Sequence, residues 1–138
     1  MLLSVSIENG TLAYHLTLTD HSGAHQFLTG NIIRMQANDN YTIVYLRGRR
    51  PFVVSKVLKI YEELLRPLGF IRTHRSHLIN KQYVQRIEKS TIIMQDASVA
   101  EICRRKEKSV RQMLSQHALS KRRSLQSNLK MLRRTTVS

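Results

Sequence analysis

Apolar and polar positions alternate over residues 2–18, where Val5 and Ile7 precede an Asn9-Gly10 pair and Leu12, Tyr14, Leu16 and Leu18 follow it. A period of two puts one face of a strand in a core, and Asn-Gly suits a type I′ turn, so the segment predicts a β-hairpin. His21-Ser22-Gly23 breaks the pattern. A second hairpin is predicted from residues 32–36 and 41–46, joined by the polar run Ala37-Asn38-Asp39-Asn40. Gly48-Arg49-Arg50-Pro51 then reads as a turn and Phe52-Val53-Val54 as a third strand of that group. At Ser55 the period changes. Val57, Leu58, Tyr61, Leu64 and Leu65 recur at helical spacing with Ser55 as N-cap, and Arg66-Pro67 ends the helix because a residue before proline is pushed out of helical geometry. Short strands are expected at 70–73, 78–80, 83–87, 91–94 and 99–102. Phe70, Ile71, Leu78, Ile79, Val57, Leu58 and Leu64 are assigned to the core. A further helix is expected from Arg104 to about residue 116, with Val110, Met113 and Leu114 on one face. Leu125, Leu129 and Leu132 allow a short amphipathic helix in the tail. The pattern predicts a mainly β fold of antiparallel strands in small packed sheets, with one internal helix and a C-terminal helix.

Composition narrows the function. The chain has 138 residues, enough for one domain with a real core, and its hydrophobic fraction of 41% argues against wholesale disorder. Against nine Asp+Glu stand 23 Lys+Arg, a net charge of +14. Charge of that size repels itself in a compact state and points to an anionic partner. It is unevenly placed: residues 1–30 contain no Lys or Arg, whereas residues 104–138 contain eleven, with Glu107 as the single acid. Cys103 is the only cysteine, so no internal disulfide forms and a reducing, cytoplasmic setting is expected. No apolar run approaches the ~20 residues of a membrane span, and residues 1–6 lack the pattern of a signal peptide. No membrane partner is expected, with peripheral binding through Leu125, Leu129, Leu132 and the neighbouring Lys and Arg as a rival reading.

The most informative stretch is Gly69-Phe70-Ile71-Arg72-Thr73-His74-Arg75-Ser76-His77-Leu78-Ile79-Asn80. It reads as two short strands around a break packed with cationic and hydrogen-bonding groups, a loop able to aim His74 and Arg75 at an anion. This stretch resembles the hallmark "FiRvHRSyiVN" of the LytTR family of bacterial DNA-binding domains. Three other segments agree in order: Asn38-Asp39-Asn40-Tyr41-Thr42-Ile43 with the family's "gNYv", Ser55-Lys56-Val57-Leu58 and Glu62-Glu63-Leu64-Leu65 with its "sLkelee.L" helix, and Ile102-Cys103-Arg104-Arg105 with its "vSRr". The resemblance implies an antiparallel β fold that reads successive major grooves with inter-strand loops, acting as a transcriptional regulator. Family members usually carry a response-regulator receiver domain in front. Residues 1–30 leave no room for one, so a member without a receiver is expected. The domain division expected is an N-terminal hairpin extension at 1–30, the DNA-binding domain at 31–116 and a basic tail at 117–138.

Base-reading chemistry selects the candidates. Asn pairs bidentately with adenine and Arg with guanine, while Lys and hydroxyl groups more often hold phosphates. The resemblance places contacts at Asn40, Arg75 and Arg105. The bland readings are a turn residue for Asn40, since Asn tolerates left-handed geometry, and a solvated arginine for Arg75. Asn38 is a weaker candidate with a structural alternative. His74 and Ser76 suit phosphate contact or loop bracing. Arg104, Lys106 and Lys108 surround Arg105 and supply salt-sensitive phosphate affinity, although a basic run is usually a solvated face. Lys56 is a further phosphate candidate. Cys103 stands where the family has serine, so a hydroxyl contact there is lost; packing is its bland reading. Two histidines without a nearby carboxylate or thiolate make a poor metal site, so no metal or cofactor is expected.

The tail reads either as a disordered basic arm or as a helical docking segment, and the 2–18 hairpin either covers this domain's own core or pairs with a second copy. No glycine-rich phosphate loop, nucleophile elbow, metal cluster or carboxylate pair argues for an enzyme. The expected partner is double-stranded DNA. A homodimer on DNA is the family's usual arrangement, although one monomer per half-site would suffice. The alternatives are an RNA-binding basic protein and an interaction module that modulates a partner regulator.

Overall fold

The computed structural model describes residues 2–135, with side chains to Gln126 apart from Ser120 and Ser124. Among the described residues three antiparallel sheets follow one another in sequence order. The first is a meander of β1 (Leu3–Glu8), β2 (Thr11–Asp20) and β3 (Gly23–Leu28), in the order β1-β2-β3. Its first turn carries positive φ at both Asn9 (52°) and Gly10 (78°), as a type I′ hairpin requires. The central sheet has five strands: β4 (Ile32–Asn38), β5 (Tyr41–Leu46), β6 (Phe52–Val54), β7 (Phe70–His74) and β8 (His77–Asn80). Their order is β6-β5-β4-β8-β7, with α1 (Leu58–Leu65) crossing between β6 and β7. The last sheet, β11-β10-β9, is built from β9 (Val84–Glu88), β10 (Thr91–Met94) and β11 (Val99–Glu101), and α2 (Glu107–Thr135) follows it. The predicted fold class is the observed one. No helix among the described residues is long and apolar enough to cross a membrane.

At β8 the central sheet is buried on both faces, so all four residues of that strand are buried rather than alternate ones. Leu78 joins a core with Leu16, Phe27, Met35, Tyr61 and Leu65, beneath the first sheet and α1. Its neighbour Ile79 points the other way, joining Ile33, Ile71, Ile92, Met94 and Val110 beneath the last sheet and α2. A register shift between Ile32 and Arg34 resets the alternation of β4, so that Ile32 and Met35 share one face. Each fully buried side chain of this kind contributes roughly 1.5–3 kcal/mol. Asn80 closes the motif from within. It is buried, donates from Nδ2 to the Ile32 carbonyl at 2.9 Å, and accepts the Gln82 N–H at 3.0 Å.

Several expectations need correction. The helix does not begin at Ser55: α1 starts at Leu58, with Val57 extended at the cap position and no side-chain cap. The chain through Val54 is still paired to Thr42 of β5, and the Thr42 hydroxyl donates to the Lys56 carbonyl at 2.6 Å, so residues 55–57 serve as the crossing. Val57 is accordingly 55% exposed and is not a core residue. The third strand of the first sheet, β3, has no counterpart in the sequence reading. Finally, α2 is one helix from Glu107 to Thr135. It replaces both the expected helix ending near residue 116 and the disordered-arm reading of the tail. The side chains of Leu129 and Leu132 lie outside the described ones.

Candidate nucleic-acid interface

Antiparallel pairing brings sequence-distant turns to one end of the central sheet. The β4–β5 turn carries Asp39 at φ 53° and exposes Asn38 and Asn40. The β7–β8 turn is Arg75-Ser76, since His74 pairs with His77. Gln36 pairs with His77, and the Ala37 N–H donates to the Ser76 carbonyl at 2.9 Å, so the two turns lie side by side. At the usual strand spacing their centres are roughly 10 Å apart. On the far side of β7 the chain after β11 is pinned to Thr73. The buried Thr73 hydroxyl donates to the Glu101 carbonyl at 2.8 Å, and the Cys103 N–H donates to the Thr73 carbonyl at 2.7 Å. That anchor places Arg105 beside the Arg75 turn, with Arg104 preceding it in the chain, both exposed. Arg75, Arg105, Cys103 and Lys59 line one shallow cavity of about 370 Å³.

The sequence-predicted residues divide into free and engaged groups. Among the described residues, the exposed Arg75 guanidinium has no protein partner; only its carbonyl is used. Lys56 is exposed next to the first turn through the Thr42 contact, and Lys108 is exposed in the first turn of α2. Lys106 is turned inward, with Nζ 3.3 Å from the Arg72 carbonyl. The Ser76 N–H donates to His74 Nδ1 at 3.1 Å, so both residues brace their own turn. The Cys103 thiol is held below its ordinary range, chiefly by hydrogen bonding to the Arg105 backbone and side chain, and further by the Arg105 and Lys106 charges.

Two residues of the site escaped sequence reading. Arg72 uses its whole guanidinium: Nε donates to the His74 carbonyl at 2.9 Å, one terminal nitrogen to the Arg75 carbonyl, and the other to Glu62 of α1 at 2.8 Å. A rigid five-donor fork suits this task, and an ammonium could not reproduce it. Lys59, one helical turn before Glu62, adds a cation to the same cavity. The helical spacing of Lys59 and Glu62 was visible; their approach to residues 72–75 was not.

A third grouping alters the argument about metals. Glu101 brings a carboxylate to His74 and His77, and one donor atom of each lies within 4.8 Å of the others. The expectation of no metal rested on there being no such carboxylate. Nδ1 of His74 accepts from the Ser76 N–H, and its other ring nitrogen, Nε2, faces Glu101 at 3.6 Å. A metal-ligating histidine ordinarily donates from its other ring nitrogen, whereas His74 Nδ1 accepts here.

His77 lies behind this pair, buried, with Nδ1 lacking a partner among the described residues. Burial first, then the charges of Arg34 and His74, push its pKa down to about 4, against a smaller upward pull from Glu101. The unfolded chain therefore binds a proton near the ordinary histidine value of about 6.5 while the folded one refuses it. Stability should be full above about pH 6.5 and fall as pH drops toward about 4, by up to about 3 kcal/mol from this group. Urea titrations across that range, in chelator, should show the step in the native chain and lose it in His77→Phe.

The family model described as the LytTr DNA-binding domain matches residues 22–115. Among solved structures, a LytTr DNA-binding domain from Bacillus cereus superposes with a TM-score of 0.62 at 23% identity, covering 72% of this chain and 95% of that one. At that identity the likeness speaks for the fold. No curated protein matches the chain.

Proposed function

Because the chain belongs to the LytTR family of DNA-binding domains, we propose that it regulates transcription by reading duplex DNA with the two adjacent turns of its central sheet, seated in the major groove. The family is defined by DNA binding rather than by catalysis, and DNA binding with a regulatory role is what membership carries. The reading is supported chiefly by one observation: the Asn38–Asn40 tip, the Arg75-Ser76 turn and the Arg104-Arg105 segment converge on one end of one sheet. A spacing of roughly 10 Å between the turns suits a major groove about 12 Å wide.

Arg75 is assigned to guanine reading, because its fork is free and its turn is held rigid. Asn40 is assigned to adenine, and Arg105 to a base or phosphate at the flank. Lys56, Lys59, Arg104 and Lys108 are placed as phosphate contacts that set register. Lys106 and His74 are assigned to bracing, with Ser76 contributing through its backbone. A homodimer on DNA or a paired regulator is compatible with these roles and is required by neither.

Selection of bound duplexes from a randomised pool, followed by anisotropy titration at two salt concentrations, tests the proposal. The expected result is a recovered motif bound far more tightly than scrambled duplex at both salts. Recovery of no motif, with affinity collapsing as salt rises, would overturn it and leave a basic protein that binds polyanions, with structured RNA the next ligand to try.

A further inference from the structure

The first sheet ends in a free edge. Among the described residues no strand pairs with the outer side of β1. The Thr17 N–H donates to the Leu2 carbonyl at 2.7 Å, and backbone groups alternate sides along a strand. Even-numbered residues of β1 therefore turn their backbone groups to β2, and Leu3, Val5 and Ile7 turn theirs outward.

The same residues form an overhanging apolar face. Leu3 pairs with Leu16, Val5 with Tyr14 and Ile7 with Leu12, and directly opposed residues share a face. At the base of the hairpin that face is core, with Leu16 fully buried and Leu3 packed on it. Toward the tip it runs past the body: Val5 is 55%, Leu12 57% and Ile7 74% exposed.

We infer that β1 joins a second copy of this chain edge to edge, antiparallel about a twofold axis. The sequence of β1 is self-complementary in that arrangement. Centred on Val5, the outward backbone groups of Leu3, Val5 and Ile7 meet those of the partner's Ile7, Val5 and Leu3. All the apolar side chains then fall on one face, and Ser4 and Ser6 fall together on the other. Charge also selects a second copy as occupant. Two bodies of net charge +14 repel each other, and residues 1–30 are the part of the chain with no Lys or Arg, so the copies approach there at least electrostatic cost.

Apart from Glu8 at its end, β1 lacks the features that usually protect an edge, having no Pro, no Lys and no register shift. The opposite edge of the sheet, β3, has the Arg49 guanidinium laid over Phe27 at 5.1 Å. The edge of the central sheet at β7 is covered by the Thr73 bonds to residues 101–103.

The test needs no DNA and is independent of the DNA-binding reading. Sedimentation velocity of the full chain at about 1 and about 100 µM, in salt high enough to screen its charge, should show a monomer moving to a dimer. Ile7→Lys, at an exposed position, and Val5→Pro, which removes an outward N–H without touching a bond to β2, should each remain monomeric with unchanged circular dichroism. A native chain monomeric throughout would overturn the inference and leave the edge to a strand from another protein. A dimer surviving either substitution in a folded variant would also overturn it, placing the contact elsewhere.

Discussion

Replacing Arg72 by alanine is expected to cost about 2–3 kcal/mol of stability and to blunt sequence discrimination, although Arg72 reaches no base in the proposed complex. Its guanidinium is largely buried, as is the Glu62 carboxylate it meets at 2.8 Å. The substitution strips the carbonyls of His74 and Arg75 of their side-chain donor and leaves Glu62, among the described residues, paired with the exposed Arg66 alone. Loss of charge-assisted bonds and a half-uncompensated carboxylate set the cost. With its carbonyls released, the Arg75 turn samples other conformations and the reading side chain must be ordered anew on each binding event. Denaturant unfolding gives the first quantity, and anisotropy against preferred and scrambled duplexes gives the second. Arg72→Lys should resemble alanine more than arginine, since an ammonium cannot span three acceptors. A destabilised variant that discriminated as well as the native chain would show that the turn is held from the β4 side, by the Ala37 bond to Ser76.

Arg75→Ala should do the reverse, leaving stability within about 0.5 kcal/mol and removing discrimination. The side chain is exposed and has no protein partner among the described residues, so the folded state loses nothing specific. If it pairs bidentately with guanine, about 1–3 kcal/mol of preference disappears, a drop of roughly fivefold to hundredfold in the ratio of preferred to scrambled affinity. Arg75→Lys should retain the salt sensitivity and lose most of the preference, because charge survives and the fork does not. Unchanged discrimination in Arg75→Ala would remove this turn from the reading surface.

These two arginines show what could be read in advance. Arg75 was legible because the polar break between two apolar anchors is a local feature of sequence. Arg72 was not, since its meaning depends on Glu62, which reaches it only after α1 docks. The same division runs through the fold. Asn9-Gly10 and the alternation around it give the first hairpin directly, and residues 91–94 form a strand with the expected bounds. β3 escaped because Gly23-Ala24-His25-Gln26 offers no apolar alternation; it is a strand because β2 presents a ladder to pair with. The length of α2 escaped for a related reason. Past Leu114 its apolar positions thin out, and a hydrophobic period fades where a helix stops touching the core.

The brevity of the paired turns carries a thermodynamic consequence. The β4–β5 connection is Asp39-Asn40 and the β7–β8 connection is Arg75-Ser76, and both are tied into the sheet before any ligand arrives. Such a surface has almost no chain left to order. Calorimetry of DNA binding should return a heat-capacity change no larger than the buried contact area accounts for, without the excess that accompanies folding on binding. Adjustment of fit then falls to the duplex, so base steps that bend and untwist easily gain an advantage even where no side chain touches them.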